Sequence, residues 1–286
     1  MDGVGAYRTY PIRSDVLTMT VKVDRCVESV QSPYQHIEVL DTKAYGRMLF
    51  LDGHVQLAQS DEGMYHEALV HVCGLNVASL GRALVIGGGD GGVIRELVKY
   101  PTIERIDIVE IDEEVIRVCR QHMPFVSNGA FDDSRVQLTI GDAFPFVKEC
   151  QDRYELIVVD ATDVYEEEDG SLSEMLFTED FYRDLVRLLS PDGYVVTQAD
   201  NPIYCPYSLE AIRTEFAKAF PKVGDYVALV PSFGGMSAYC WASQGAGLKD
   251  VDALDFGRVR LDFFSRSWYD FARSSVVDSL TKRAPK

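Results

Sequence analysis

Positive charge is scarce in this sequence. Its 286 residues carry 28 Lys and Arg against 45 Asp and Glu, a formal net charge of −17. That balance excludes nucleic-acid binding, which needs clustered Lys and Arg. An acidic surface gathers cations instead, which suits a positively charged small ligand as well as plain solubility. Long apolar runs are also missing. No stretch reaches the roughly 18 residues of a membrane span, and the opening MDGVGAYRTYPIRSD has no apolar signal core. Cys26, Cys73, Cys119, Cys150, Cys205 and Cys240 form no C-x-x-C pair, which excludes zinc-finger and thioredoxin-like sites. They read as free thiols of a cytoplasmic protein. His36, His54, His66, His71 and His122 show no H-E-x-x-H spacing, so no metal site is expected. Repeats and low-complexity tracts are absent as well. What is present is an ordinary globular composition, 47% hydrophobic, with length for one or two domains.

The chain divides by pattern. Residues 16–57 read as strands: Leu17–Val23 alternates, His36–Leu40 follows Ser32-Pro33, and Arg47–Leu51 ends at the turn signal Asp52-Gly53. Residues 62–75 then turn helical, with Tyr65, Leu69 and Val72 on one stripe. From residue 82, apolar strands alternate with amphipathic helices. Strands are expected at 83–86, 106–109, 136–140, 156–159 and 194–197, and helices at about 91–100, 112–122, 142–150 and 178–189. Nearly continuous apolar runs such as Leu156-Ile157-Val158-Val159 suit strands covered on both faces. A helix at 208–219 and strands at 224–231 and 237–243 complete the pattern. The expectation is an α/β chain. A small N-terminal β domain (1–64) precedes a Rossmann-like domain (65–286) with a doubly wound, mostly parallel sheet.

Acids punctuate that sheet. Gly87, Gly89 and Gly92 fit G-x-G-x-x-G between a strand and a helix, which places a nucleotide-like ligand against the backbone. Asp90 stands among those glycines. A loop built for pyrophosphate gathers positive potential, so an acid there would repel a phosphate and attract an ammonium or sulfonium. Glu110 ends the next strand, where an acid commonly binds ribose hydroxyls. The glycine motif and Glu110 by themselves suit a dehydrogenase and an S-adenosyl-methyltransferase alike, while Asp90 opposes the pyrophosphate of the former. The following strands run into Gly141-Asp142-Ala143 and Asp160-Ala161-Thr162-Asp163. Ligands bind outside the carboxyl ends of such strands, so Asp90, Glu110, Asp142, Asp160 and Asp163 converge on one crevice. An Asp in the position of Asp142 also serves as a helix N-cap. Crowded carboxylates require cations or a shared proton, and the inference is a ligand with several positive charges.

These residues resemble the spermidine synthase (polyamine aminopropyltransferase) family. The likeness runs through Ser32-Pro33-Tyr34-Gln35, Leu51-Asp52-Gly53-His54-Val55-Gln56 and Asp61-Glu62-Gly63-Met64-Tyr65-His66-Glu67. It continues through the GGGDGG loop, Val109-Glu110-Ile111-Asp112, Gly141-Asp142-Ala143 and Asp160-Ala161-Thr162-Asp163. The resemblance implies transfer of the aminopropyl group of decarboxylated S-adenosylmethionine to a primary amine, putrescine giving spermidine, with release of 5′-methylthioadenosine. The donor acts as co-substrate, and no cofactor or metal is implied. By the same resemblance Asp160 is the proton acceptor, and Asp163 and Asp90 hold amino groups. Tyr65 and His66 contact substrate. Gly87, Gly89, Gln35, Glu110, Asp142 and Ala143 bind the nucleoside portion. A homodimer or homotetramer is implied, with no membrane or nucleic-acid partner. The role of Asp90 has an independent logic. Intact S-adenosylmethionine carries a carboxylate that Asp90 would repel, so the acid selects the decarboxylated donor by rejecting the other.

The chain departs from the family in two places. The family sequence D-x-x-D-P-x-G-P reads here Asp163-Val164-Tyr165-Glu166, without the proline. The family P-T-Y reads Pro231-Ser232-Phe233, without the phenolic hydroxyl. The first alters a loop, 164–172, that in the family closes over the site, and the second falls on the acceptor side. They leave open an altered acceptor (spermidine, agmatine or a longer diamine) beside putrescine. The other readings are a methyltransferase using intact S-adenosylmethionine and a polyamine-binding regulatory homologue.

Overall fold

The computed structural model describes residues 6–13, 16–161, 178–245 and 247–273. Its N-terminal part is a five-stranded antiparallel meander in the order β1 (Ala6–Arg13), β2 (Leu17–Gln31), β3 (His36–Thr42), β4 (Gly46–Leu51) and β5 (His54–Ala58). Alternation in the sequence foretold β2 to β4. The strand β1 was not foreseen, because Tyr7-Arg8-Thr9-Tyr10-Pro11 buries only Tyr10 and shows no two-residue period. Asp52 and Gly53 form the β4–β5 turn with left-handed backbones, φ 47° and 84°.

The second sheet has seven strands in the order β11-β12-β10-β9-β6-β7-β8. The strands β6 (Arg82–Gly87), β7 (Arg105–Glu110), β8 (Val136–Ile140), β9 (Tyr154–Asp160) and β10 (Leu189–Gln198) run parallel, and β12 (Gly235–Ser243) pairs antiparallel with β10 and with β11 (Lys222–Val230). Helices alternate with these strands: α1 (Glu62–Gly74), α2 (Gly92–Val98), α3 (Glu113–His122), α4 (Pro124–Ser127), α5 (Ala143–Glu149), α6 (Glu179–Leu188), α7 (Pro206–Ala219) and α8 (Arg266–Ala272). One apolar cluster lies on each face. Leu69, Val85, Ile108 and Val158 belong to one, and Leu84, Ile86, Ile157 and Leu185 to the other. Neighbouring residues of a strand thus enter opposite cores, which is why these strands are apolar throughout.

The chain order reverses at β6, which pairs with β7 on one side and β9 on the other. A crevice opens at the carboxyl ends of strands at such a switch point. The meander covers this edge: Ser32 and Gln35, in the β2–β3 turn, both donate to Asp112 at the start of α3, at 2.7 and 3.0 Å.

The helix α1 differs from expectation. The sequence suggested one apolar stripe, but nearly the whole helix is buried, including Glu62, His66, Glu67 and His71. It packs against α2 and the sheet, while the 262–264 segment closes over Glu67, whose carboxylate accepts three backbone N–H groups there. Polar groups survive such burial only when partnered, and each of these four is.

Candidate active site

A cleft of about 540 Å³ opens at the switch point. Its lining includes Gln35, Tyr65, Gly87, Gly89, Asp90, Glu110, Asp142, Ala143 and Asp160. The site residues expected from the sequence therefore meet, with two exceptions. His66 lies just behind the wall, fully buried against Asp90. Asp163, and with it the departure at 164–172, lies outside the described residues.

The glycine loop shows why its residues are what they are. Gly87 has φ 79°, and a Cβ there would stand 2.2 Å from the carbonyl oxygen of Asp160. The absence of a side chain lets β6 and β9 bring Asp90 and Asp160 to one wall of the cleft. Gly92 makes room for His66: a Cβ there would stand 2.2 Å from ring atom Cε1. Asp90 accepts the N–H of Gly92 at 2.6 Å, and its carboxylate is 3.4 Å from Nε2 of His66. That separation is long for a hydrogen bond, so charge rather than hydrogen bonding dominates the contact. Nδ1 of the same ring meets Glu62 at 2.8 Å. Burial alone would drive the imidazole down, but Asp90 and Glu62 outweigh it and raise the ring to about 10. Asp90 is raised by burial, yet His66 and the Gly92 N–H carry it below the usual carboxylate range.

His66, Asp90 and Asp160 offer ligand atoms within 4.8 Å of one another, a proximity that sequence spacing did not reveal. Metal ligation needs a lone pair on a neutral imidazole nitrogen. Here carboxylates flank both nitrogens, at 2.8 Å for Nδ1 and 3.4 Å for Nε2, an arrangement that favours the protonated ring.

Asp160 ends β9, and its Oδ1 accepts the hydroxyl of Tyr65 at 2.7 Å. Burial first and Asp90 second raise its carboxyl to about 6, with His66 and Tyr65 opposing. Among crowded carboxylates this one is poised to exchange a proton near neutrality. Glu110 accepts the N–H of Gly89 at 3.0 Å and that of Asp112 at 2.8 Å. Burial nevertheless raises it to about 7. Asp142 caps α5 by accepting the Phe144 N–H at 2.9 Å while it lines the cleft, so its two readings coexist.

Four positions escaped the sequence reading. Glu62 and Arg95 were missed because an ion pair between α1 and α2 leaves no mark in either helix alone; the i,i+4 spacing of Glu62 and His66 was the available signal. Asp61 precedes α1 without capping it; its side chain accepts from Ser232, at 2.7 Å from the N–H and 2.9 Å from Oγ. It thereby fixes the turn that carries Phe233 into the cleft, where that ring packs on Tyr65 at 5.6 Å. Asp200 lines the cleft with a left-handed backbone, φ 61°, a conformation that costs about 1 kcal/mol or more outside glycine.

A nucleotide-loop crevice lined by carboxylates, at the switch point of a doubly wound sheet, fits a cationic nucleoside donor of the S-adenosyl type. The comparisons narrow this further. A "Spermine/spermidine synthase domain" matches residues 62–252, and a "Spermidine synthase tetramerisation domain" matches residues 9–59. A polyamine aminopropyltransferase of Moorella thermoacetica is 36% identical over 260 residues, 90% of this chain and 89% of that protein. Another, of Lachnoclostridium phytofermentans, is 38% identical over 246 residues, 85% of each chain. A crystal structure of spermidine synthase in complex with the transition state analogue AdoDATO superposes with a TM-score of 0.87 at 26% identity, covering 97% of this chain and 95% of that one. The chain belongs to the spermine/spermidine synthase family.

Proposed function

We propose that the protein transfers the aminopropyl group of decarboxylated S-adenosylmethionine to putrescine, yielding spermidine and 5′-methylthioadenosine. Family membership supports the reaction class, and the Asp90–Asp160 wall of the cleft carries the chemistry.

An alkylammonium has no lone pair, so its proton must leave before nitrogen can attack. Asp160 takes that proton. Its carboxyl, raised to about 6, is ionised at neutral pH yet basic enough to accept. The amine nitrogen then bonds the methylene beside the sulfonium, the carbon–sulfur bond breaks, and sulfur keeps the electron pair as a neutral thioether. Charge at sulfur is lost rather than created, so alignment of the two substrates supplies much of the rate.

Asp90 meets the ammonium of the aminopropyl chain, beside Tyr65 and His66. Glu110 holds the ribose hydroxyls. Asp142 and the Ala143 backbone N–H meet the adenine. Gln35, pinned by Asp112, contacts the methylthioadenosine portion, and Gly87 and Gly89 let it approach. Asp163 holds the acceptor amine. Residues 1–64 serve assembly, in line with the matched tetramerisation description, and residues 65–286 serve catalysis. None of the six cysteines is in a disulfide, which suits a reducing, cytoplasmic setting.

Calorimetry with the two nucleosides tests the donor. The decarboxylated form binds tighter than intact S-adenosylmethionine; the reverse order would return the chain to the methyltransferase reading.

A further inference from the structure

We propose that Glu62, anchored by Arg95, is a positioning residue for this reaction: it holds His66 as the imidazolium that keeps Asp160 ready to accept the proton of the acceptor amine. The inference rests on the aminopropyl-transfer reading and adds residues that touch neither substrate.

The geometry favours a doubly protonated ring. His66 is wholly buried. Glu62 and the Tyr65 ring face it from its own helix, Asp90 from the loop after β6, Asp160 from the end of β9, and the bare Gly92 from α2. Arg95 of α2 reaches the ring through Glu62, and Cys119 of α3 borders Asp90. A neutral imidazole has one N–H. Set between two carboxylates, it would turn a lone pair toward one of them. Only the imidazolium presents positive charge to both: Nδ1 meets Glu62 at 2.8 Å, while Nε2, 3.4 Å from Asp90, makes no hydrogen bond and acts through its charge.

Glu62 is built to enforce this. Nη1 and Nη2 of Arg95 donate to its Oε1 and Oε2 at 2.8 and 2.9 Å, a forked clamp that fixes the carboxylate and keeps it ionised. Arg95 is itself held by Oε1 of Glu96 at 2.8 Å and the carbonyl of Val126 at 2.7 Å. The order from protein interior to cleft is Glu96, Arg95, Glu62, His66, Asp90, alternating in sign. With Asp160 within 4.8 Å of both, a positive His66 offsets the charge of Asp90. A neutral His66 would leave two carboxylates facing each other, and Asp160 would keep its proton to higher pH.

The test is Glu62→Gln, which preserves shape and leaves Arg95 its Glu96 and Val126 partners. The acid limb of kcat/KM moves up by on the order of one pH unit. The ratio of variant to parent is then lowest in acid and approaches unity in base. A role confined to fold stability would lower the rate equally at every pH. A folded variant whose acid limb stays in place, or moves down, overturns the proposal. Nitrogen-15 spectra of the histidine rings supply a readout on the unaltered protein. At about pH 8 the His66 ring carries both protons; a neutral ring there would sink the idea even if the variant failed to fold. Parent protein that forms no 5′-methylthioadenosine with any amine would defeat the functional reading instead, without bearing on the ring spectra.

Discussion

At the residue scale, Asp90 and Asp160 share a wall but not a titration range. Asp90 has the imidazolium beside it and stays ionised, while Asp160 has burial and Asp90 against it and is raised to about 6. Two like groups driven apart by their surroundings are assigned different tasks. Asp160→Asn should lower turnover by roughly 10²- to 10⁴-fold, the usual worth of a general base, while calorimetry shows the aminopropyl donor still bound. Asp90→Asn should cost little in binding intact S-adenosylmethionine and much in binding the decarboxylated form, so preference between them narrows by at least about tenfold. Glu110 gives a stability prediction. Its folded value of about 7 lies above the 4.5 of a free Glu, so the folded state binds more protons between those values. Stability from this group is therefore greatest below the lower value and declines as pH rises through the higher, by on the order of 3 kcal/mol. Urea midpoints of Glu110→Gln should vary less across that window than those of the parent; equal slopes would remove Glu110 as the cause.

At the scale of elements, the glycine loop was legible and the helix behind it was not. G-x-G-x-x-G after an apolar run is a local pattern, and strand-end acids follow from knowing where strands stop. A sequence reading could therefore gather Asp90, Glu110, Asp142 and Asp160 before any coordinates. The helix α1 defeated the same reasoning. Its burial on every side comes from α2 and the 262–264 segment, and its charged residues are matched by partners far along the chain. Local periodicity carries no record of either. The strand β1 was missed for a related reason: its partner β2 makes it a strand, not its own composition. Steric demands at the loop are testable. Gly87→Ala adds a Cβ against backbone at positive φ, where nothing nearby can rotate away, and should destabilise by roughly 2–4 kcal/mol in thermal unfolding. Gly92→Ala meets a side chain instead, the His66 ring, and should impair turnover more than stability.

At the scale of the molecule, the opening shortage of positive charge becomes an attribute of the reaction. A net charge of −17 surrounds a cleft proposed to receive two cationic substrates. Their encounter should be accelerated by that field, and kcat/KM should fall as ionic strength rises while kcat changes little. The half of the cleft that takes the acceptor is the part the sequence left most open, since Phe233 lacks a hydroxyl and Asp163 lies outside the described residues. The most direct measurement is therefore of product. Protein incubated with decarboxylated S-adenosylmethionine and putrescine should yield spermidine and 5′-methylthioadenosine in equal amounts by mass spectrometry. A methylated product from intact S-adenosylmethionine, or no 5′-methylthioadenosine with any amine offered, would contradict aminopropyl transfer.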